Sequence, residues 1–236
     1  VRIVILICGN TLPAIAERRG DFDRWICEKT GDAWAGTWAS HDVRSPAPLP
    51  GPRDAEAFVL SGSSSSVTER AGWMLRVEEL VREIAAARVP LLGICFGHQL
   101  MAQALGGEVR KNPLGREIGT VRVERVADDA MFAGLPRSFD VNATHVDAVT
   151  ALPPGAEVLA TTALDPRASF RVGPRIRAVQ FHPEFDADVI REYLLARAQL
   201  IRAEGLDPEA LLKGVHSGTR GAEILRNFAR SIAAAV

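Results

Sequence analysis

The chain has 236 residues, 47% of them hydrophobic and 24% charged, with a formal net charge of -1. That is the profile of a water-soluble globular chain, without a basic footprint for nucleic acid and without an apolar run near the about 18 residues that a membrane-spanning helix needs. Three cysteines, Cys8, Cys27 and Cys95, form an odd, sparse set without metal-ligand spacing, which argues against a disulfide framework or a zinc site and predicts a reducing cytoplasm.

Residues 3–8 are apolar throughout and predict a central parallel strand. The segment is too short, and lacks the flanks, for a signal peptide. Gly9, Asn10 and Thr11 make a turn, a helix is predicted over 22–28 with Gly31 and Asp32 ending it, and 33–40 predicts the next strand. The proline-rich stretch 45–53 reads as a rigid surface connection. A short apolar strand over 57–60 runs into Ser61-Gly62-Ser63-Ser64-Ser65-Ser66. That run is either a flexible turn or a loop whose backbone N–H groups line a site. Trp73, Val77, Leu80, Val81 and Ile84 recur at helical spacing, with Glu78, Glu79, Arg82 and Glu83 opposite, so 68–88 predicts an amphipathic helix.

After Val89 and Pro90 comes Leu91-Leu92-Gly93-Ile94-Cys95-Phe96-Gly97-His98-Gln99. An apolar strand enters, a cysteine stands two residues from a glycine on either side, and helix-forming sequence leaves and ends at Gly106-Gly107. This is the pattern of a nucleophile elbow, a strand-to-helix turn sharp enough to expose its central residue. At a helix N-terminus the unpaired N–H groups and the helix dipole favour a thiolate. Cys8 and Cys27, in apolar surroundings, read as small buried hydrophobes.

A β-rich stretch follows, with strands predicted over 119–126, 138–144, 156–161, 168–172 and 176–181, the last ending in Gln180-Phe181-His182-Pro183-Glu184. In an extended segment, two-residue spacing turns His182 and Glu184 to one face, where the carboxylate can orient the imidazole and stabilise its protonated form. A plain surface pair at a strand end is the alternative. If the elbow strand and the His-Pro-Glu strand are parallel neighbours, Cys95, His182 and the serine-rich loop meet beyond the carboxyl edge of one sheet. Helices over 188–203 and around Ile224, Leu225, Phe228 and Ile232 close the chain, broken by Gly205-Leu206-Asp207-Pro208.

Gly93-Ile94-Cys95-Phe96-Gly97-His98-Gln99 together with Gln180-Phe181-His182-Pro183-Glu184 resembles the class I glutamine amidotransferase family. The pattern is most similar to the domain found in GMP synthetase and to stand-alone members that include γ-glutamyl peptidases. The resemblance implies an α/β fold of flavodoxin-like type, spanning 1–236 as a single domain. Its central sheet would be mostly parallel and flanked by helices, with a small antiparallel β extension and a C-terminal helical extension over 204–236. It implies that Cys95 attacks the γ-carbonyl of a glutamine-like side chain, that His182 shuttles the proton and that Glu184 orients it. The N–H of Phe96 and one from the Gly62-Ser63 loop would form the oxyanion hole. Gln99 and the segment Thr144-His145-Val146-Asp147 would hold the substrate, with Asp147 partnering its α-amine; for His145 a structural role in a loop remains open. The chain departs from the family at Ser64, where proline is common, and at Ser63, where many members have glycine.

The resemblance implies no metal and no cofactor, and a glutamine or γ-glutamyl small molecule as substrate. The chain has no Gly-x-x-x-x-Gly-Lys-Ser/Thr loop, so ATP-dependent use of released ammonia would require a separate synthetase subunit. Three functions are open at this stage: an independent γ-glutamyl hydrolase, a glutaminase subunit, and a non-catalytic binding or regulatory protein that keeps the fold. Contacts that choose the leaving group are expected in loops 10–20, 45–53 and 110–118.

Overall fold

The computed structural model describes residues 2–234. Its strands are β1 (Arg2–Ile7), β2 (Thr37–Asp42), β3 (Ala57–Leu60), β4 (Leu91–Ile94), β5 (Glu108–Lys111), β6 (Glu117–Arg125), β7 (Ser138–His145), β8 (Asp147–Ala151), β9 (Ala156–Thr161), β10 (Ser169–Val172) and β11 (Ile176–Val179). Its α-helices are α1 (Pro13–Arg19), α2 (Phe22–Thr30), α3 (Gly72–Ala86), α4 (Phe96–Ala104), α5 (Ala187–Ala196), α6 (Ala198–Ala203), α7 (Pro208–Gly214) and α8 (Gly221–Ala233). Among the described residues, no helix is long and apolar enough to cross a membrane.

One sheet organises the molecule, in the order β2-β1-β3-β4-β11-β10-β9-β6-β7. From β2 to β11 all neighbours are parallel. From β11 to β7 all are antiparallel. A separate antiparallel ribbon pairs β5 with β8. The central strands β3 and β4 are apolar and buried at every position because helices cover both faces. Along β1, Ile3 and Ile5 pack toward α8 and the end of α2, whereas Val4 and Leu6 pack toward α3 and α4. A third apolar cluster joins Ile15, Phe22 and Trp25 to Phe185, Tyr193 and Ile201, beside the carboxyl edge of the sheet.

Several elements differ from the sequence expectations. The long helix begins only at Gly72, after a 3-10 turn over Val67–Glu69 that Ser66 caps with a reciprocal Glu69 contact. Glu78, expected on the exposed side, is buried and held by Arg70 and Gln103. The strand expected over 33–40 forms at Thr37–Asp42, preceded by a 3-10 turn. The helix expected over 188–203 is interrupted at Arg197. The strand expected to run through 181 stops at Val179, and His182 to Phe185 form a turn, with the Phe185 N–H donating to the His182 carbonyl at 3.3 Å.

Candidate active site

Cys95 follows β4 and precedes α4, with φ 52 and ψ −101. Positive φ is costly for a residue with a Cβ, and strain of about 1–3 kcal/mol of this kind is held only where the surroundings over-determine it. Here two glycines do so. A Cβ on Gly93 would lie 2.6 Å from the Gly97 carbonyl oxygen, and one on Gly97 would lie 2.6 Å from the Leu60 carbonyl oxygen. Helix α4 can therefore press against β3 and β4 only with glycine at both positions. The Cys95 N–H donates to the Val179 carbonyl at 2.8 Å, which ties the elbow to the neighbouring strand β11.

That strand leads to His182. Its Nδ1 lies 2.7 Å from Glu184 Oε1, and both side chains are buried. The expected pairing is thus present, but a turn brings it about rather than the alternation of a strand. The imidazole is stacked on Phe185 at 4.0 Å between centroids and on Phe22 at 6.0 Å. Cys95 and His182 line one cavity and act on each other by charge. Burial pushes the Cys95 thiol up, but the attraction of His182, reinforced by His145, outweighs it and holds the thiol below its ordinary pKa. Burial likewise opposes charge on His182, yet Glu184 and Cys95 raise its pKa above the usual histidine range. Both shifts run toward a thiolate–imidazolium pair. The other two thiols show the contrast, because burial pushes Cys8 up to about 12 and Cys27 up to about 11.

This state is open to test by alkylation. Mass-spectrometric iodoacetamide labelling of Cys95 is expected to inflect below the pH of about 8.5 typical of a free thiol. In His182→Ala the inflection should move above it, because the largest group lowering the thiol pKa is gone. An unmoved inflection would mean that His182 does not set the charge of Cys95.

The serine-rich loop sits at the same edge and is pinned. The Ser61 N–H donates to the Leu6 carbonyl at 3.1 Å, and Ser61 Oγ accepts from the Cys8 N–H at 3.0 Å. Ser63 Oγ accepts from the Ser65 N–H, and Ser66 Oγ donates to Asp147 Oδ2. Serine hydroxyls thus do the fixing that a proline at position 64 would do. A Cβ on Gly62 would come 2.9 Å from His182 Cε1, so glycine there lets the imidazole approach the loop.

A cavity of about 420 Å³ opens over the thiol. Among its lining residues are Ser63, Cys95, Phe96, Gln99, Thr144, His145, Val146, Asp147 and His182, so most of the residues expected at the site share one wall. Gln99 Nε2 donates to the Asp147 carbonyl at 2.9 Å and to Gln180 Oε1 at 3.1 Å, and the Val146 carbonyl accepts from the Asn112 N–H. Cys95 Sγ lies 3.8 Å from the Thr144 carbonyl oxygen.

His145 has both ring nitrogens engaged. Nε2 lies 3.0 Å from Glu117 Oε2 and Nδ1 lies 3.0 Å from the Asp147 carbonyl. Both partners only accept, so the imidazolium satisfies both. Burial opposes that charge, and Glu117 raises the pKa above the ordinary value. Glu117 is placed there by register, directly opposite His145 across β6 and β7.

The expected specificity loops contribute unequally. Asn10 to Pro13 and Arg116 line the cavity, but 45–53 does not. The C-terminal helices supply Tyr193 and Arg197 instead. Neither was legible as a site residue: Tyr193 reads as one more apolar helix position, and Arg197 as one more helical surface charge. Among the described residues, no cluster of His, Cys, Asp or Glu is arranged to hold a metal ion.

The family model for class I glutamine amidotransferases matches residues 41–200. Over 182 residues the chain is 43% identical to a glutamine-hydrolyzing GMP synthase of Thermomicrobium roseum, covering 77% of this chain and 31% of that protein. It is 31% identical over 140 residues to gamma-glutamyl peptidase 4 of Arabidopsis thaliana, covering 57% of this chain and 56% of that one. The chain spans about a quarter to a third of the length of this GMP synthase and two others that it matches. A crystal structure of a glutamine amidotransferase from Thermotoga maritima superposes with a TM-score of 0.71, at 24% identity, over 99% of this chain and 96% of that one.

Proposed function

Because the chain belongs to the class I glutamine amidotransferase family, we propose that it hydrolyses the γ-amide bond of glutamine or of a γ-glutamyl compound through Cys95. The observation that carries this is the strained elbow thiol opening into one cavity with His182, and Glu184 behind His182 at 2.7 Å.

In the proposed reaction the Cys95 thiolate attacks the γ-carbonyl carbon. The oxyanion that forms takes hydrogen bonds from the Phe96 N–H, which has no acceptor within its own helix, and from the Gly62-Ser63 loop. Each such donor typically lowers the barrier by about 3 kcal/mol. As the tetrahedral intermediate collapses, the C–N bond breaks, its electron pair goes to nitrogen, and the His182 imidazolium supplies the proton. A γ-glutamyl thioester remains on Cys95. His182, now neutral, takes a proton from water, the hydroxide attacks the thioester, and glutamate leaves as the thiol is restored. Glu184 keeps the imidazole turned through the cycle and stabilises its charged form whenever it holds the second proton.

A second function, a glutaminase that delivers ammonia to a separate synthetase, is favoured by the 43% identity to part of a GMP synthase. The two are separated by giving the purified protein glutamine and a panel of γ-glutamyl amides and measuring glutamate. Turnover without a partner is expected. Activity on glutamine alone that rises when a synthetase chain is added would establish the second function in place of the first, and inactivity on every substrate with or without partner would defeat both.

A further inference from the structure

The relation of His182 to Glu184 is set by a turn, and a turn, unlike a strand, has no ladder to hold it. Its own closing contact is long, with the Phe185 N–H at 3.3 Å from the His182 carbonyl. What aims the imidazole rides on the same four residues: Glu184 lies at Nδ1, and the Phe185 ring stacks on the imidazole at 4.0 Å between centroids. The turn therefore needs an outside hold at each end.

That hold comes from one buried residue of a distant strand. In the sheet order β7 closes the edge four places from β11, yet Asn142 of β7 bridges to His182 just beyond the end of β11. The Asn142 carbonyl accepts from the His182 N–H at 2.8 Å, and its Nδ2 donates to the Phe185 carbonyl at 3.0 Å. Asn142 Oδ1 accepts from Thr120 Oγ1 at 2.9 Å, so both ends of the amide are engaged and its orientation is fixed. The contact to His182 is main chain and needs no particular side chain. The contact to Phe185 needs a donor of this reach. On its other side the turn abuts α8, where a Cβ on Gly221 would lie 2.7 Å from both the Cα and the carbonyl oxygen of Pro183. Main chain thus bounds the Pro183 side, and the Phe185 end depends on the Asn142 amide.

We propose that Asn142 is a positioning residue for His182: through the Phe185 carbonyl, its side-chain amide sets the turn that aims the imidazole into the cavity shared with Cys95. The inference rests on the cysteine hydrolase function proposed above. Asn142 touches neither substrate nor thiol in this role, and acts only through the turn.

The test reads hydrolysis, Cys95 alkylation and Tm in the same variants. Asn142→Ala should lower kcat by about 10- to 100-fold with KM within about 3-fold of wild type. The pH inflection of Cys95 alkylation should rise part of the way to its His182→Ala position. Asn142→Asp supplies a signature that loss of packing cannot. When protonated, the carboxyl donates its O–H to the Phe185 carbonyl and accepts from Thr120; when ionised, it has no donor to offer. Burial favours the protonated form. Asn142→Asp should therefore approach wild-type kcat at acid pH and fall towards Asn142→Ala as pH rises. The titratable groups about the turn are His182 and Glu184 on the turn itself, Cys95 at the elbow and Tyr193 on α5. Both variants retain all four, so the ratio of Asn142→Asp to Asn142→Ala isolates the new carboxyl. A lower Tm with unchanged kcat and an unmoved inflection would leave Asn142 a stabilising residue only and overturn the inference. A ratio that stays flat with pH would do the same. Should Asn142→Ala fail to fold, Thr120→Val, which keeps the amide and frees its oxygen, should lower kcat by about 2- to 5-fold, and an unchanged kcat there is a refutation. If wild type hydrolyses no substrate, the hydrolase function falls, and the alkylation inflections alone decide whether Asn142 places His182.

Discussion

Cys95→Gly and Cys95→Ala are both expected to lose amide hydrolysis by about 10⁴-fold or more, yet the glycine variant should melt about 2–4 °C above the alanine variant. The activity loss follows from the proposed mechanism, since no other described thiol lines the cavity and neither variant can form a thioester. The stability order is the sharper claim. At an ordinary helical site glycine is the less stable of the two by about 0.5–1 kcal/mol. At φ 52 and ψ −101 the order inverts, because alanine keeps the Cβ that strains the turn and glycine does not. About 1 kcal/mol of relief corresponds to the stated shift for a chain of this size. Thermal melts of the two variants decide it. If alanine melts higher, the elbow stores no strain, and the case for Cys95 as a residue held against its preference weakens with it.

Gly97→Ala is the second large effect, on stability rather than chemistry. The added Cβ would sit 2.6 Å from the Leu60 carbonyl oxygen and 2.7 Å from the Leu60 Cβ. The first is main chain in a central strand and cannot rotate away, so α4 or β3 must shift. The expected cost is roughly 2–4 kcal/mol, a fall in Tm on the order of 10 °C. Gly72→Ala is the control: an added Cβ there meets nothing within 4 Å, so Tm should hold or rise slightly. A Gly97→Ala protein that melts like wild type would show that α4 can be displaced at no cost.

The elbow was legible because its requirements are local: an apolar strand, a cysteine, and glycine two residues to either side where backbones nearly touch. The His182–Glu184 pairing was legible for a different reason than the one first available, since a turn sets it and strand alternation does not. Elements that lack a periodic signal were missed. Helix α1 buries only Ile15 of its seven residues, and β5 is a charged segment with one buried side chain, Val109, that exists by pairing with β8. Helix α7 was hidden because its start looks like a stop. Pro208 occupies a first-turn position where its missing N–H costs nothing, and Asp207 accepts from the N–H groups of Glu209 and Ala210. Glu117 as the partner of His145, and Arg197 at the cavity, depend on the register of β6 with β7 and on a helix break, and neither is written in local composition.

The turn that carries His182 is held by main chain. The His182 N–H donates to the Asn142 carbonyl at 2.8 Å, and Asn142 Nδ2 donates to the Phe185 carbonyl at 3.0 Å, with Thr120 Oγ1 donating to Asn142 Oδ1 to fix the amide. Any residue at position 182 that keeps its peptide N–H keeps that suture between the two halves of the sheet. A substitution at position 182 therefore removes the imidazole and leaves this main-chain tie in place.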